Sequence, residues 1–309
     1  MSKLILNISP HISGKRTTQK IMLDVIIALM PAAVASVIIY GWRSLLVIGV
    51  CVCTCAASEF LFEKLCKREN TVYDLSAVVT GILLAFNLPV SIPIWQAVFG
   101  SITAIIVVKQ LFGGIGQNFA NPAITARIIM MTAFSGSMTA WTSPQTSDAV
   151  SSATPLAAAS KNITDSMPSY TDLLLGNHSG CIGETCALAL IAGGIYLIIK
   201  RVISWQTPAA FIATVAVMSL ICGRDVIYQL LSGGLLLGAV FMATDYATTP
   251  PTPFGKAVFG IGCGIVTILI RFWGNLPEGV SFSILLMNIL TPYISKITRS
   301  KPLTGGAEA

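Results

Sequence analysis

Ten stretches of roughly 20 apolar residues follow one another along this chain, at about 21–40, 44–63, 73–90, 94–112, 122–140, 183–200, 207–223, 227–244, 256–273 and 280–297. Coiled at 1.5 Å per residue, a run of that length matches the hydrocarbon thickness of a bilayer. It is about twice the length of a membrane-barrel strand, which also alternates in polarity. Hydrocarbon offers no partner to an open backbone group, so the helix is the economical way across. Composition points the same way. The 309 residues are 54% hydrophobic and 10% charged, with a mean hydropathy of +0.78, whereas soluble domains carry about 25% charged residues. The chain is therefore expected to be an all-α polytopic membrane protein with ten transmembrane helices. A polar interval divides them five and five. The expected organisation is a five-helix unit at 1–140, a loop at 141–182 and a second five-helix unit at 183–309.

Charge orients these spans. The formal net charge is +6, read here as cytoplasmic anchoring residues and not as a nucleic-acid surface. With the N-terminus inside, Lys3, Lys15, Arg16, Lys20, Lys64, Lys67, Arg68, Lys109, Arg127, Lys200, Arg201, Lys256, Lys296, Arg299 and Lys301 fall on the cytoplasmic side. Only Arg43, Lys161, Arg224 and Arg271 fall outside, a division of 15 against 4. Both termini are then cytoplasmic and the 141–182 loop is extracytoplasmic. Arg127, a turn into the fifth stretch, is expected to snorkel to the interface. The polar, basic segment Met1–Lys20 lacks the apolar core of a cleavable signal, so the first span is expected to be retained.

The halves resemble each other weakly. Gln96-Ala97-Val98-Phe99-Gly100 recurs as Lys256-Ala257-Val258-Phe259-Gly260, and Gly81-Ile82-Leu83-Leu84 as Gly233-Gly234-Leu235-Leu236. With an odd number of spans per half, such repeats face opposite ways. Inverted repeats place a pathway at their interface, often through broken helices. Gly113-Gly114-Ile115-Gly116 and Gly274-Asn275-Leu276-Pro277-Glu278-Gly279 are the candidate breaks. Glycine lets a backbone turn sharply or approach a ligand closely, and Asn121-Pro122 reads as an N-cap followed by the first helical residue. No βαβ pattern surrounds the glycines, so they are not a nucleotide fingerprint. Gly113, Gly114, Asn121 and Asp245, the acid closing Phe241-Met242-Ala243-Thr244-Asp245, are the candidate ion or cofactor pathway residues. Asp24 and Asp74 read as interfacial.

The eight cysteines show no C-x-x-C pair, which argues against a protein-held iron–sulfur cluster. In Cys51-Val52-Cys53-Thr54-Cys55 the middle thiol points almost opposite to the other two on a helix. Cys181 and Cys186 flank the start of a span on the polar-loop side, where an oxidising compartment would allow a disulfide but the sequence does not call for one. The two histidines, His11 and His178, assemble no Ser/His/Asp set. Within the long polar interval, Asp148-Ala149-Val150-Ser151-Ser152-Ala153-Thr154-Pro155-Leu156 surrounds one threonine hydroxyl with small residues. Alone it reads as a flexible turn or as the address of a modifying enzyme.

Taken together, Ser9–Gly14, Gly113–Pro122, Asp148–Leu156 and Phe241–Pro250 resemble the D subunit of the Rnf complex and the related B subunit of the sodium-pumping NADH:quinone oxidoreductase. The family's acceptor motif runs roughly D-g-x-[ST]-[ST]-A-T. Asp148, Ser151, Ser152, Ala153 and Thr154 fit it, and Ala149 stands where glycine is usual. The resemblance implies a urea-transporter-like fold of two inverted five-helix repeats in a prokaryotic inner membrane. It implies FMN esterified through its phosphate to Thr154 by a separate flavin transferase using FAD, with Ser152, Ala153 and Pro155 around the attachment point. It leaves room for a second, noncovalent flavin. The implied function is that of a subunit, not catalytic alone, in electron transfer between ferredoxin and NAD⁺ coupled to Na⁺ or H⁺ movement, with other Rnf subunits as partners. The start of the motif at Ser9 favours the Rnf branch over the quinone-reducing one, which has a longer N-terminal extension. The alternative is a solute channel of urea-transporter type with Thr154 unmodified.

Overall fold

The structure is a computed structural model that describes residues 17–68, 70–142, 154–156, 168–184, 186–274 and 278–299. Among these residues the regular elements are helical and no β-strand occurs. Helix α1 (Thr18–Tyr40) starts at Thr17, whose hydroxyl accepts from the Lys20 amide at 3.4 Å, and stops at Gly41, where φ is +75°. Helix α2 (Trp42–Leu65) follows directly. The chain continues through α3 (Ser76–Phe86), α4 (Ile94–Ile102), α5 (Pro122–Ala133) and α6 (Ser135–Met138). The second half holds α7 (Tyr170–Leu175), α8 (Ala187–Ile199), α9 (Gln206–Ile221), α10 (Val226–Leu231), α11 (Leu235–Leu237), α12 (Pro253–Trp273) and α13 (Val280–Thr298). Among the described residues α1, α2, α12 and α13 are long and apolar enough to cross a bilayer unaided. Large apolar side chains such as Ile38, Leu65, Ile199 and Ile297 face outward, as a lipid-facing surface requires and a water-facing one does not.

Three of the ten expected spans are not continuous. The third stops at Phe86, because Leu88 precedes Pro89 and is pushed out of the α region. The fifth breaks at Phe134, whose ring packs edge-on against Trp95 and Phe99 with centroids 5.1 and 5.5 Å away. The eighth falls into α10, α11 and a π-helical stretch, Gly238–Met242, after Gly233 adopts φ +70°. A second π stretch, Thr103–Gln110, extends α4. Such bulges often mark functional segments.

Small residues set the helix spacing. On α12 a side-chain carbon at Gly260 would lie 2.6 Å from the Thr207 carbonyl oxygen, and one at Gly264 would lie 2.6 Å from Thr214 Cβ, so α9 and α12 meet backbone to backbone. Gly81 does the same for α3 against α2, 2.7 Å from Val52 Cα. Between α12 and α13 the Thr267 hydroxyl donates to Ser283 Oγ at 2.8 Å, both fully buried. Thr267→Val is expected to cost about 0.6–1.7 kcal/mol, read as a small drop in the thermal midpoint of the detergent-solubilised protein with no change in fold.

Lys109, Arg127 and Arg271 are 2%, 2% and 5% exposed. They are not loop anchors, and Arg127 does not snorkel. Each has interior partners that a sequence count cannot see: Lys109 Nζ lies 2.5 Å from Glu59 Oε1 and 2.7 Å from Ser76 Oγ. These three therefore carry no orientation signal, while the remaining basic residues keep the asymmetry. Cys51 and Cys55 are buried and Cys53 exposed, as helical geometry expects. Cys181 and Cys186 are free thiols with separate partners, the Asn87 and Leu174 carbonyl oxygens.

Candidate functional site

Two polar sites lie where residues before and after the 141–182 interval meet. The first is built on the end of α3. Asn87 leaves the helix with its amide nitrogen bonded to Leu83 O at 2.6 Å, so its Oδ1 is free to accept from Arg127 Nη1 at 2.7 Å. The 178–184 segment packs onto the same end. Ile182 and Gly183 donate to the Leu88 and Phe86 carbonyls at 3.0 and 2.9 Å, and the Tyr40 hydroxyl donates to His178 O and Gly180 O at 3.3 and 3.4 Å. Only glycine fits at 183, where a Cβ would stand 2.3 Å from Phe86 Cβ. This packing brings Cys181 and Glu184 against Arg127. The Arg127 guanidinium pairs directly with Glu278, approaches Glu184 Oε1 at 3.7 Å and donates to Cys181 Sγ at 3.4 Å. Arg271 closes the far side, donating to the carbonyl oxygens of Glu278, Gln229 and Ser232 at 3.2, 2.7 and 3.4 Å.

Thr154 sits beside this cluster and is only 5% exposed. The sequence leads one to expect an acceptor hydroxyl open to a modifying enzyme. Instead Thr154, Pro155 and Leu156 share a space of about 210 Å³ with His178, Glu184, Gly233 and Glu278. The Tyr228 hydroxyl donates to Pro155 O at 3.1 Å, and Leu156 covers Gly233. Burial pushes the His178 imidazole below its ordinary range. Thr154 has the nucleophilic oxygen a phosphoester needs. The void beside the hydroxyl is small and lined by two carboxylates, so a flavin carried on this oxygen would extend outside it. Ser152 and Ala153 lie outside the described residues. Cys181, Glu184 and Glu278 bring ligand-type atoms within 4.8 Å of one another, but Arg127 already supplies the cation there.

The second site is a cleft of about 750 Å³, lined by Asp245, Asn121, Asn118, Lys109 and apolar residues including Leu83 and Phe241. Asn121 caps α5, accepting from the Ala123 and Ile124 amides at 3.1 and 3.4 Å, and its Nδ2 donates to Met242 O at 3.4 Å. Met242 Sδ in turn meets Asn87 Nδ2 at 3.6 Å. The two sites are thus linked by one chain of polar contacts through Asn121, Met242, Asn87 and Arg127. Asp245 and Asn121 both line this cleft. Gly113 and Gly114 do not: they take φ of +118° and +97° in the connecting turn, which only glycine adopts freely. Sequence reasoning misses the cluster of Arg127, Glu184, Glu278 and Asn87. The legible hint is a charged residue inside an apolar run, Arg127, which demands a buried partner.

The sequence matches the NQR2, RnfD, RnfE family over residues 5–304. This chain belongs to that family. Among curated members, it is 48% identical over 300 residues to the D subunit of the Na(+)-translocating ferredoxin:NAD(+) oxidoreductase complex of Acetobacterium woodii, covering 96% of this chain and 94% of the relative. It is 39% identical to the D subunit of the proton-translocating ferredoxin:NAD(+) oxidoreductase complex of Clostridium ljungdahlii, over 94% of this chain and 93% of that one. It is 34% identical to the D subunit of the ion-translocating oxidoreductase complex of Stutzerimonas stutzeri, over 93% and 92%. The NQR2, RnfD, RnfE family assignment accounts for the apolar helices and covers both polar sites.

Proposed function

We propose that this chain is a membrane subunit of an ion-translocating ferredoxin:NAD⁺ oxidoreductase and carries FMN as a phosphoester on Thr154. The observation that carries this reading is the near-complete alignment with subunits so named, joined to a Ser-Ser-Ala-Thr acceptor sequence at 151–154. Ten membrane-crossing elements in two inverted halves, with 141–182 extracytoplasmic and both termini cytoplasmic, suit the helix order and the residual basic asymmetry. The chain's own apparatus is suited to holding and orienting cofactors and ions. Ferredoxin, NAD⁺ and iron–sulfur sites are left to partner subunits, and the flavin to a separate transferase. When bound, FMN supplies one- or two-electron transfer. Fluorescence of the denatured subunit on a gel tests the reading. Protein from cells with the transferase should glow under ultraviolet light, and a dark band would count against it.

Asp245, Asn121 and the 750 Å³ cleft they line form the proposed route for a coupling ion, or the seat of a second, noncovalent flavin. A half-buried carboxylate in a membrane bundle is costly unless used. Asp245→Asn is expected to reduce ion transport by the reconstituted complex at least several-fold while covalent flavin content stays at the wild-type level. Parallel loss of both would make Asp245 structural. The alternative reading, a urea-transporter-like solute channel, predicts solute flux from the isolated chain and no flavin.

A further inference from the structure

Between the π stretch Thr103–Gln110 and Pro122, the first residue of α5, the chain makes an irregular turn whose large apolar side chains face outward. Leu111, Phe112, Ile115 and Phe119 are 62%, 48%, 39% and 43% exposed. We propose that this turn, with the basic end of α2 beside it, is the docking face for a partner subunit that presents apolar residues rimmed by acidic ones. The inference rests on this chain being one subunit of a complex, and not on any flavin.

Neither lipid nor water suits these side chains. Irregular backbone does not occur exposed to hydrocarbon, and here Gly113, Gly114 and Gly116 take φ of +118°, +97° and +83°. Water does not suit a contiguous apolar patch, and the Phe112 and Phe119 rings lie side by side with centroids 4.8 Å apart. Aromatic belts at the headgroup level are built of Trp and Tyr, which bring a polar tip. Phe, Leu and Ile have none. A protein surface is the cover that satisfies both the apolar side chains and the irregular backbone between them.

Charge says which kind of protein. Lys64, Lys67 and Arg68, at the end of α2 and just after it, are exposed, and none forms a salt bridge with a described residue. Arg68 Nη1 donates to the Gln110 carbonyl at 3.0 Å, which fixes this cation one residue from Leu111. Unpaired positive charge at the rim of an apolar centre fits an acidic partner. The face is also held in shape. Gln110 Nε2 donates to Glu59 Oε1 and Glu63 Oε1 of α2 at 2.8 and 3.3 Å, and the Gly113 and Gly114 amides donate back to the Gln110 and Lys109 carbonyls at 3.2 and 3.1 Å. A surface ordered before association loses less entropy on binding. The same turn supplies Ile115 and Asn118 to the cleft that Asp245 lines, so a partner seated on the turn bears on that cleft.

Photocrosslinking in the purified complex identifies the occupant. With Phe112 replaced by benzoylphenylalanine, illumination is expected to join this chain to another subunit, at a segment that carries acidic residues. Adducts confined to lipid or to a second copy of this chain would overturn the proposal, and so would the absence of any polypeptide adduct. The rim is tested by charge reversal. Lys64→Glu combined with Lys67→Glu is expected to lower co-purification of the crosslinked subunit several-fold, and wild-type retention of that subunit should itself weaken as ionic strength rises. Membrane insertion of the variant chain and its thermal midpoint in detergent should match the wild type. Undiminished retention of the partner by the variant refutes the acidic rim. Gel fluorescence on the same samples keeps this proposal apart from the flavin reading: a dark band with an intact crosslink refutes only the flavin on Thr154, and a fluorescent band without a polypeptide adduct refutes only the docking face.

Discussion

Replacing Thr154 with alanine is expected to remove covalent flavin entirely and bring ferredoxin-dependent NAD⁺ reduction by the complex to background, while the subunit still inserts and assembles. The effect is all-or-none because an ester needs its oxygen and because the cofactor, not the protein, carries the redox chemistry. Folding is little affected. The side chain loses one hydroxyl from a buried setting, worth about 0.5–1.5 kcal/mol. Gel fluorescence and flavin release after hydrolysis measure the first outcome, and subunit abundance in the purified complex measures the second. Thr154→Ser keeps the oxygen and should retain some flavin. A flavin-loaded Thr154→Ala protein would place the acceptor elsewhere.

Arg127→Met is the second large effect, and it acts on stability. Arg127 is the cation shared by Glu278 and Glu184 and the donor to Asn87 Oδ1. Removing it leaves the buried Glu184 carboxylate beside the half-buried Glu278 and an amide oxygen without its donor. Breaking a buried pair in this way costs about 3–5 kcal/mol. The expected readout is a markedly lower yield and thermal midpoint of the solubilised complex. Combining it with Glu278→Gln should recover part of the loss, since contacting residues couple. Additive losses would show that Arg127 and Glu278 act independently.

The two predictions differ in how far the sequence foretells them. Thr154 stands out in the sequence because its motif is local: small residues flank one hydroxyl over a few positions. Its burial is not readable, because Tyr228, Gly233, Glu184 and Glu278 come from segments far apart in the chain. Arg127 is visible as a charge in an apolar run, but the run alone suggests a snorkelling anchor. Its partners at 87, 184 and 278 have no periodic relation to it. Likewise the sequence marks Gly113 and Gly114 as turn formers, but not whether they line the cleft, which they do not. Positive φ is a local requirement, whereas cavity lining depends on what packs opposite.

The sequence by itself determined the helical class, the apolar elements and their approximate ends, and the N-cap at Asn121. Each of these depends on residues within a turn or two of one another, or on the length of an apolar run set against bilayer thickness. Only the tertiary structure decided which helices break, which basic residues are buried and that Thr154 is buried, with Pro155 bonded to Tyr228 and Leu156 set against Gly233. In a bilayer the helices gain little from burying apolar surface against each other, so close glycine contacts and buried polar pairs choose the packing. Those pairings join residues dozens of positions apart, and nothing in a local pattern announces them.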